Sequence, residues 1–411
     1  MTTAEAGFQP LAAPLYAAAA ARSFTSALTG VLLGLYLAEM GSGAAELGVI
    51  VGAGLAGMAL GTTWVAWHGD RVGRWPTLIA ATVLSGLGLV GLAAFEAGPL
   101  LPAIAFAGML NGMGRDRGPA QTLEQSILAD AVPGANRTAV FARYALAQDV
   151  AGALGSLAAG APKLLEALWS LGPASAYRWT FAGAAAVALL PVAIYARLAV
   201  PEQGPAGVTH ASGRFAPLSP GARRRVGGLS ALFALDSLGG GLLAGSIVSY
   251  WFFRRFNVAG DVLGPVFFAA RALNALSYLA ADGLARRIGL VRTMVFTHLP
   301  SSALLIVLPL VPSAPWAILL FLAREALVQM DVPTRQSYVA AVTSPGERTF
   351  ALGVTGVVRN AGWALGAPLA GLLTRIAGLG APLVAGAALK MAYDVALYYS
   401  FRGIQLREEQ H

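Results

Sequence analysis

The stretch QSILADAVPGANRT, residues 125–138, has an approximate second copy 211 residues further along the chain. At this constant shift four short blocks match: Gln125-Ser126 with Gln336-Ser337, Arg137-Thr138 with Arg348-Thr349, Ala153-Leu154-Gly155 with Ala364-Leu365-Gly366, and Ala159-Gly160 with Ala370-Gly371. Several separated matches at one shift indicate an internal repeat, in which each half of the chain forms the same structural unit.

The composition places this repeat in a membrane. Of the 411 residues, 56% are hydrophobic and only 12% are charged, whereas a soluble globular protein carries about 25% charged residues. Apolar runs of about 18 residues or more recur along the chain, which indicates transmembrane helices. Fifty glycines also suit a membrane bundle, because small residues let helices approach closely. These features argue against a large soluble helical protein.

Glycine, proline and charged residues divide the apolar runs into twelve predicted spans. The spans are 17–40, 46–68, 76–96, 100–131, 138–162, 176–199, 228–252, 259–284, 290–311, 314–342, 348–374 and 380–400. None shows the strict alternation of a barrel strand. The matching blocks fall in spans four and five and in spans ten and eleven. Because six helices lie between the copies, the repeat is parallel, about an axis along the membrane normal.

A polar segment between the two copies predicts the domain boundary. Residues 201–227 are rich in Pro, Gly and Ser and include three consecutive arginines, so they are predicted to form a cytoplasmic linker. The predicted domains on either side are an N-terminal six-helix bundle, 1–200, and a C-terminal six-helix bundle, 228–411.

The distribution of basic residues predicts the orientation. With the N-terminus in the cytoplasm, fourteen Lys and Arg residues lie on the inner side and five on the outer side. The positive-inside rule therefore predicts a multi-pass protein of the cytoplasmic (inner) membrane with both termini in the cytoplasm. The formal net charge of +8 then needs no nucleic acid to explain it.

The decapeptide AWHGDRVGRW, residues 66–75, joins the second and third spans. It resembles the cytoplasmic loop of the major facilitator superfamily, and Asp70, Arg71, Gly73 and Arg74 match the pattern of that loop. The resemblance extends over essentially the whole chain. It implies an all-α integral membrane protein whose twelve transmembrane helices form two pseudo-symmetric six-helix bundles. It also implies that Asp70 contacts the eleventh span, 348–374, and helps to close the cytoplasmic side. The alternative is that these charges only set the orientation of the chain in the membrane.

Charged residues within the spans are the candidates for function. Each charge at the bilayer centre costs about 2.5–3.5 kcal/mol, so these side chains must line a cavity or pair inside the bundle. Enclosed arginines can bind carboxylate or phosphate groups bidentately, and desolvated acids can take up a proton. The predicted substrate-binding residues are Arg115, Arg117, Arg271, Asn274, Arg324, Arg359 and Asn360. The predicted proton-coupling residues are Asp116, Asp149, Asp236 and Glu325.

Other charges in the chain are assigned to gates or to structural pairs. The predicted gate residues are Asp70, Arg71, Gly73, Arg74, Asp331 and Arg335. The i,i+4 spacing of Asp331 with Arg335 favours an internal pair as the alternative to a gate role. The same spacing of Lys390 with Asp394 predicts a structural pair within the twelfth span. Pairing with an arginine on the cytoplasmic side is the alternative for Asp236. Arg22 and Glu124 are placed further from the midplane.

Two short segments at the seventh span, 228–252, predict local features of that helix. Gly239-Gly240-Gly241 could let this helix bend. The aromatic run from Tyr250 to Phe253 is interpreted as an interfacial belt at the outer end of the helix, with a substrate lid as the alternative.

These features favour a secondary active transporter that works by alternating access. The excess of intramembrane arginine favours an anionic or amphiphilic organic solute, moved by proton-coupled efflux. Uptake of an organic anion by symport or exchange is the alternative, and a non-transporting receptor on the same fold is a third. The predicted partners are a small-molecule substrate, a proton or other coupling ion and the lipid bilayer, with no nucleic acid and with a monomeric chain. The four histidines are scattered and give no metal-ligand spacing. The sequence also shows no nucleophile–base set and no phosphate loop, so no metal, cofactor or enzyme activity is predicted.

Overall fold

The computed structural model describes residues 3–95, 98–131, 137–198, 220–330 and 348–401. Within these residues the chain is helical and contains no strand. The helices are α1 Thr3–Glu39, α2 Ala44–Val72, α3 Arg74–Ala94, α4 Leu101–Ala107, α5 Pro119–Ala131, α6 Arg137–Leu157, α7 Ala161–Trp169, α8 Pro173–Leu198, α9 Pro220–Gly241, α10 Gly245–Phe256, α11 Gly260–Ile288, α12 Leu290–Val307, α13 Ala314–Val328, α14 Arg348–Ala377 and α15 Ala381–Phe401. Short 3₁₀ turns, Ala158–Gly160 and Leu308–Leu310, follow α6 and α12.

Six segments of the described chain are long and apolar enough to cross a bilayer. These are Leu11–Glu39, Ala44–Gly69, Arg74–Ala94, Pro173–Leu198, Val226–Phe256 and Val291–Leu310. Large apolar side chains such as Leu60, Leu87 and Trp179 stay exposed on the helix surfaces. Exposed apolar surface of this kind suits contact with lipid. The all-α membrane class predicted from the sequence is therefore confirmed.

The predicted fourth span, 100–131, is two helices separated by an irregular segment. α4 ends at Ala107 and α5 begins at Pro119. The side chain of Asn111 stabilises the break, because its Oδ1 accepts hydrogen bonds from the backbone N–H groups of Met113 (3.0 Å) and Gly114 (3.2 Å). Met109 and Gly114 have φ angles of 51° and 82°, which end a right-handed helix.

This break corrects the sequence prediction, which placed Arg115, Asp116 and Arg117 near the middle of a continuous helix. All three lie in the irregular segment instead. We call residues 108–118 the helix-four break. At membrane depth such backbone is tolerated only where protein buries it or where it lines a cavity.

The seventh predicted span, 228–252, is also interrupted, directly after its three consecutive glycines. α9 ends at Gly241 and α10 begins at Gly245, so the glycines mark a break where the sequence predicted a bend. The aromatic run that follows does not form an interfacial belt, because Tyr250, Trp251 and Phe252 are buried. The Tyr250 hydroxyl donates to the carbonyl oxygen of Ser42 (3.1 Å). Protein contacts, rather than lipid headgroups, surround these rings.

The chain forms two compact units. Unit one comprises Met1–Val200, Ala244–Ala269 and Ala367–Leu379; unit two comprises Pro201–Leu243, Ala270–Gly366 and Gly380–His411. The core of unit one includes Leu78, Leu128 and Tyr195, and that of unit two includes Phe233 and Met294. The division of the chain into halves at 201–227 stays a prediction.

Glycines bring backbones into direct contact at several places within unit one. A Cβ atom on Gly34 of α1 would lie 1.9 Å from the carbonyl oxygen of Ser246 in α10. A Cβ on Gly48 would lie 2.6 Å from the Ala367 carbonyl oxygen, and one on Gly260 would lie 2.2 Å from that of Ala159. None of these positions can hold a side chain without the helices moving apart.

Candidate functional site

A buried arginine on α1 organises the polar centre of unit one. Arg22 holds Glu124 of α5 through two hydrogen bonds, Nη1 to Oε1 (2.8 Å) and Nη2 to Oε2 (2.6 Å). Its Nε donates to Oδ2 of Asp116 in the helix-four break (3.2 Å). Only 7% of Arg22 is exposed and Glu124 is fully buried. This geometry is the bidentate arrangement in which an arginine–carboxylate pair is strongest.

Two tyrosines complete this centre. The hydroxyl of Tyr144 donates to Glu124 Oε2 (2.7 Å), and that of Tyr195 donates to Oε1 (2.5 Å). Arg22 also donates to both hydroxyl oxygens. We call Arg22, Asp116, Glu124, Tyr144 and Tyr195 the Arg22 cluster. Its members satisfy one another, which is what a buried charged network requires to be stable.

Sequence reasoning missed most of the Arg22 cluster. Asp116 was predicted as a proton-coupling residue, but Arg22 and Glu124 were placed away from the midplane and neither tyrosine was selected. Tyrosine carries no charge, so composition gives no signal for it. The available signal was Glu124 itself, a carboxylate in an apolar span that requires a cationic partner.

Three predicted site residues meet in unit two. Asn274 of α11 donates through Nδ2 to Glu325 Oε2 of α13 (3.0 Å), and Arg324 Nη1 donates to Glu325 Oε1. Asn274 is 4% exposed and Glu325 is 7% exposed. Among the described residues, the Oδ1 atom of Asn274 and the Nε atom of Arg324 are buried without a hydrogen-bond partner. A buried acceptor and a buried donor therefore remain available beside one carboxylate.

The predicted pairing of Lys390 with Asp394 within the twelfth span, 380–400, is wrong. Lys390 Nζ contacts Asp236 of α9 (2.7 Å), and Asp394 contacts Nδ1 of His298 in α12 (2.9 Å). The i,i+4 spacing of Lys390 and Asp394 places both on one face of α15, and the helices packed against that face supply closer partners. Asp236 thus has a basic partner, as its alternative interpretation predicted, but the partner is Lys390 rather than an arginine.

The other predicted substrate and coupling residues are spread over several helices. Arg115, Arg117, Asp149, Arg271, Arg359 and Asn360 are all half-buried. The guanidinium of Arg359 lies 5.0 Å from the ring centre of Trp363, a cation–π contact. Asp331 and Arg335 lie outside the described residues, as does the second copy of the repeat at 336–347.

The loop between α2 and α3 carries the remaining predicted gate residues. Arg74 Nη1 contacts Oδ2 of Asp130 (2.5 Å), and Arg71 is exposed. Gly73 has φ 100° and ψ 136° and ends α2 while starting α3. The side chain of Asp70 lies outside the described part of the structure.

We expect Gly73→Ala to destabilise the protein by about 1–3 kcal/mol, because an L-residue is strained at this positive φ. Thermal unfolding in detergent measures the change. Gly228→Ala is the matched control, since a Cβ there meets no atom within 4 Å and φ is not positive; it should leave the unfolding temperature unchanged or raise it. Equal unfolding temperatures for the two variants would contradict the prediction.

Comparison with known proteins agrees with this architecture. The family model of the Major Facilitator Superfamily matches residues 15–329. The uncharacterized membrane protein YJR124C of Saccharomyces cerevisiae is 24% identical over 424 residues, which cover 96% of this chain and 94% of the relative.

Solved transporter structures share the fold. A bacterial homolog of the human lysosomal transporter Spinster, inward-facing and occupied, matches with TM-score 0.74 and 15% identity over 96% of each chain. The nucleoside transporter NupG matches with TM-score 0.73 and 14% identity over 96% of this chain and all of that one. A D-xylose–proton symporter matches with TM-score 0.71 and 16% identity, covering 97% and 99%. The predicted fold of two six-helix bundles is confirmed.

Proposed function

The chain belongs to the major facilitator superfamily, and from this premise we propose that it moves a small organic anion across the cytoplasmic membrane together with a proton. The broader statement, a multi-pass membrane transporter rather than an enzyme, follows from the family and the fold. The finer statement rests on the cluster formed by Asn274, Arg324 and Glu325, which we call the Glu325 cluster.

The charge state of Glu325 controls the availability of Arg324. When the carboxylate is ionised, it holds the guanidinium and offsets its charge. When it takes up a proton, the pair is broken and the guanidinium can bind an anionic group bidentately. Proton binding therefore strengthens anion binding, and by linkage anion binding strengthens proton binding to the same extent. Such positive coupling suits two ligands that are carried in the same direction.

The single observation that carries this proposal is the direct contact between Arg324 and Glu325, with Nε of Arg324 left free for a ligand. Asn274 fixes the orientation of the carboxylate through its amide nitrogen. Arg271, Arg359 and Asn360, which belong to the same unit, are proposed to contribute further contacts to this substrate. Arg115 and Arg117 of unit one stay predicted substrate-binding residues.

Proton-coupled efflux by exchange, the direction that the sequence favours, is the second candidate. The observation in its favour is the free Oδ1 atom of Asn274 beside Glu325. An acceptor next to a carboxylate suits an ammonium group, which would compete with the proton for Glu325. Competition of this kind produces exchange rather than symport.

The carboxylates and loop residues away from the Glu325 cluster have proposed roles of their own. Asp116, Asp149 and Asp236 are secondary proton-coupling candidates. Asp70, Arg71, Gly73 and Arg74 are proposed as gate residues in the α2–α3 loop, and Asp331 and Arg335 stay predicted gate residues. We further propose that both termini lie in the cytoplasm and that the protein works as a monomer.

We expect Glu325→Gln to abolish accumulation driven by a pH gradient while substrate binding is retained. The glutamine keeps the size and hydrogen-bonding capacity of the neutral acid but cannot release a proton. Purified protein in liposomes, given an imposed pH gradient, is tested with panels of organic anions and cations. Binding is measured separately by thermal shift, because a ligand of the native state raises apparent stability.

The matched control is Glu166→Gln. Glu166 pairs with Lys163, whose side chain is 42% exposed. This variant should transport as the wild type does. The sign of proton movement decides between the candidates: inward protons with inward anion support symport, and opposite fluxes with a cation support exchange. Accumulation by Glu325→Gln at the wild-type level would overturn the proposed role of this carboxylate.

A further inference from the structure

A buried histidine and a buried aspartate are in direct contact in unit two. Nδ1 of His298, on α12, lies 2.9 Å from each carboxylate oxygen of Asp394, on α15. His298 is 2% exposed and Asp394 is fully buried. Among the described residues, no other group hydrogen-bonds to this carboxylate. The two side chains therefore form an acid–base pair that shares no residue with the Glu325 cluster.

The pair lies at membrane depth. His298 is near the middle of the apolar segment Val291–Leu310, which is long enough to cross a bilayer. Tyr393 packs edge to face against the imidazole, with 6.2 Å between ring centres, and Phe233 of α9 packs against Tyr393. Both of these residues belong to the core of unit two. An ionisable residue inside an apolar span is costly, and in transporters such residues are typical of proton relays.

In the described part of the neighbouring helices, no charged residue other than His298 pairs with Asp394. Lys390 and Asp236 are the further charged groups that act electrostatically on Asp394. Lys390 lies one turn before Asp394 on α15, and its Nζ contacts Asp236 of α9 (2.7 Å). Arg292, at the start of α12, is exposed, and both charged residues of α13 belong to the Glu325 cluster. His298 is therefore the base in direct contact with this carboxylate.

Such a pair has two charge states that differ by one proton. With a neutral imidazole, Nδ1–H donates to the ionised carboxylate and the two groups together carry one negative charge. With an additional proton on Nε2, the ring is an imidazolium and the contact joins two opposite charges. Histidine is the side chain whose charge ordinarily changes between about pH 5 and 8. The contact between α12 and α15 can therefore hold or release a proton while the carboxylate stays ionised.

From the direct contact, the burial and the position at membrane depth, we propose that His298 and Asp394 form a second proton-binding site of this chain, in addition to Glu325. The proton is carried by the imidazole, and Asp394 supplies the opposite charge. This site does not rest on the proposed coupling through Glu325, because a proton can bind here without an organic substrate or a pH gradient. Failure of one site therefore leaves the other standing.

The test uses the full chain in detergent with His298 as its only histidine. The sequence has four histidines, so this chain requires His68→Asn, His210→Asn and His411→Asn. Labelling with ¹⁵N-histidine then lets NMR measure the charge state of the His298 ring alone. Between about pH 5 and pH 9 we expect the ring nitrogens to change from imidazolium to neutral imidazole. Asp394→Asn in this chain removes the opposite charge and should weaken proton binding about tenfold.

Asp130→Asn in the same chain is the matched control. It also changes a carboxylate to an amide, but the Asp130 side chain is 53% exposed, pairs with Arg74 and lies in unit one. It should leave the titration of His298 unchanged.

Two outcomes would overturn the proposal. A His298 ring that keeps one charge state over the whole pH range would show that the pair is only structural. This outcome is measured with Asp394 in place, so it does not depend on how Asp394→Asn folds. A titration that Asp394→Asn leaves unchanged would exclude the carboxylate from the site.

Discussion

Glu124→Ala is expected to lower the free energy of unfolding by about 3–5 kcal/mol, the range for breaking a buried ion pair by removing one partner. The reason is the charge that remains. Arg22 is 7% exposed, and without Glu124 its guanidinium keeps only the contact with Asp116 and the two tyrosine oxygens. Unfolding midpoints in a mild detergent, titrated with a denaturing one, measure the loss.

The pair between Arg74 and Asp130 provides the matched control. It has the same chemistry, but the Asp130 side chain is 53% exposed, and exposed pairs contribute about 1 kcal/mol or less. Asp130→Ala should therefore change stability by no more than that amount.

The triple variant Arg22→Met, Asp116→Asn and Glu124→Leu tests the cause of the loss. It should recover most of the stability that Glu124→Ala loses, because it removes all three charges of the Arg22 cluster, including Asp116, whose side chain is only 8% exposed. A loss for Glu124→Ala no greater than that for Asp130→Ala would show that water reaches Arg22 and would contradict the buried cluster.

The helices themselves could be predicted from the sequence, because hydrocarbon length and apolar composition fix them locally. The break in helix four could not. Residues 100–131 contain enough apolar residues to pass as one span, and four glycines in 108–118 do not by themselves end a helix in a glycine-rich membrane protein. The break depends on tertiary contact: a Cβ on Gly30 of α1 would lie 2.2 Å from Cα of Gly114.

The candidate sites divide in a similar way. Asn274, Arg324 and Glu325 could be selected because a polar side chain at membrane depth is itself a signal. The partner of each charge could not be predicted. Lys390 and Asp394 satisfy a local spacing rule, yet each finds its partner on another helix. Arg22 and Glu124 are 102 residues apart, a separation that no local pattern spans.

Gly34→Val is expected to abolish transport while the protein stays folded. A Cβ at this position would lie 1.9 Å from the Ser246 carbonyl oxygen and 2.5 Å from the Ser249 hydroxyl. The hydrogen bond from Ser249 to the carbonyl oxygen of Val31 (2.8 Å) closes the same contact between α1 and α10. A transporter that alternates between two states must form and release such contacts, and a valine holds this one open.

The absence of cysteine from the chain makes the contact directly measurable. Ser249→Cys places a single thiol at a fully buried position. It should react slowly with a maleimide in the otherwise native chain and about tenfold faster or more with Gly34→Val, which corresponds to displacing the closed state by about 1.4 kcal/mol. Transport into liposomes is measured on the same variants.

Gly43→Val is the control that distinguishes loss of the contact between α1 and α10 from a general effect of adding a side chain. This position is only nine residues away, its φ is −75°, and a Cβ there meets no atom within 4 Å. Transport and thiol protection should both remain as in the native chain. Gly34 is helical and Gly43 is extended, but neither has a positive φ, so a valine is strained at neither position by the backbone alone. A Gly34→Val protein that still transports, or that still protects the thiol, would mean that α1 and α10 do not need this contact to close.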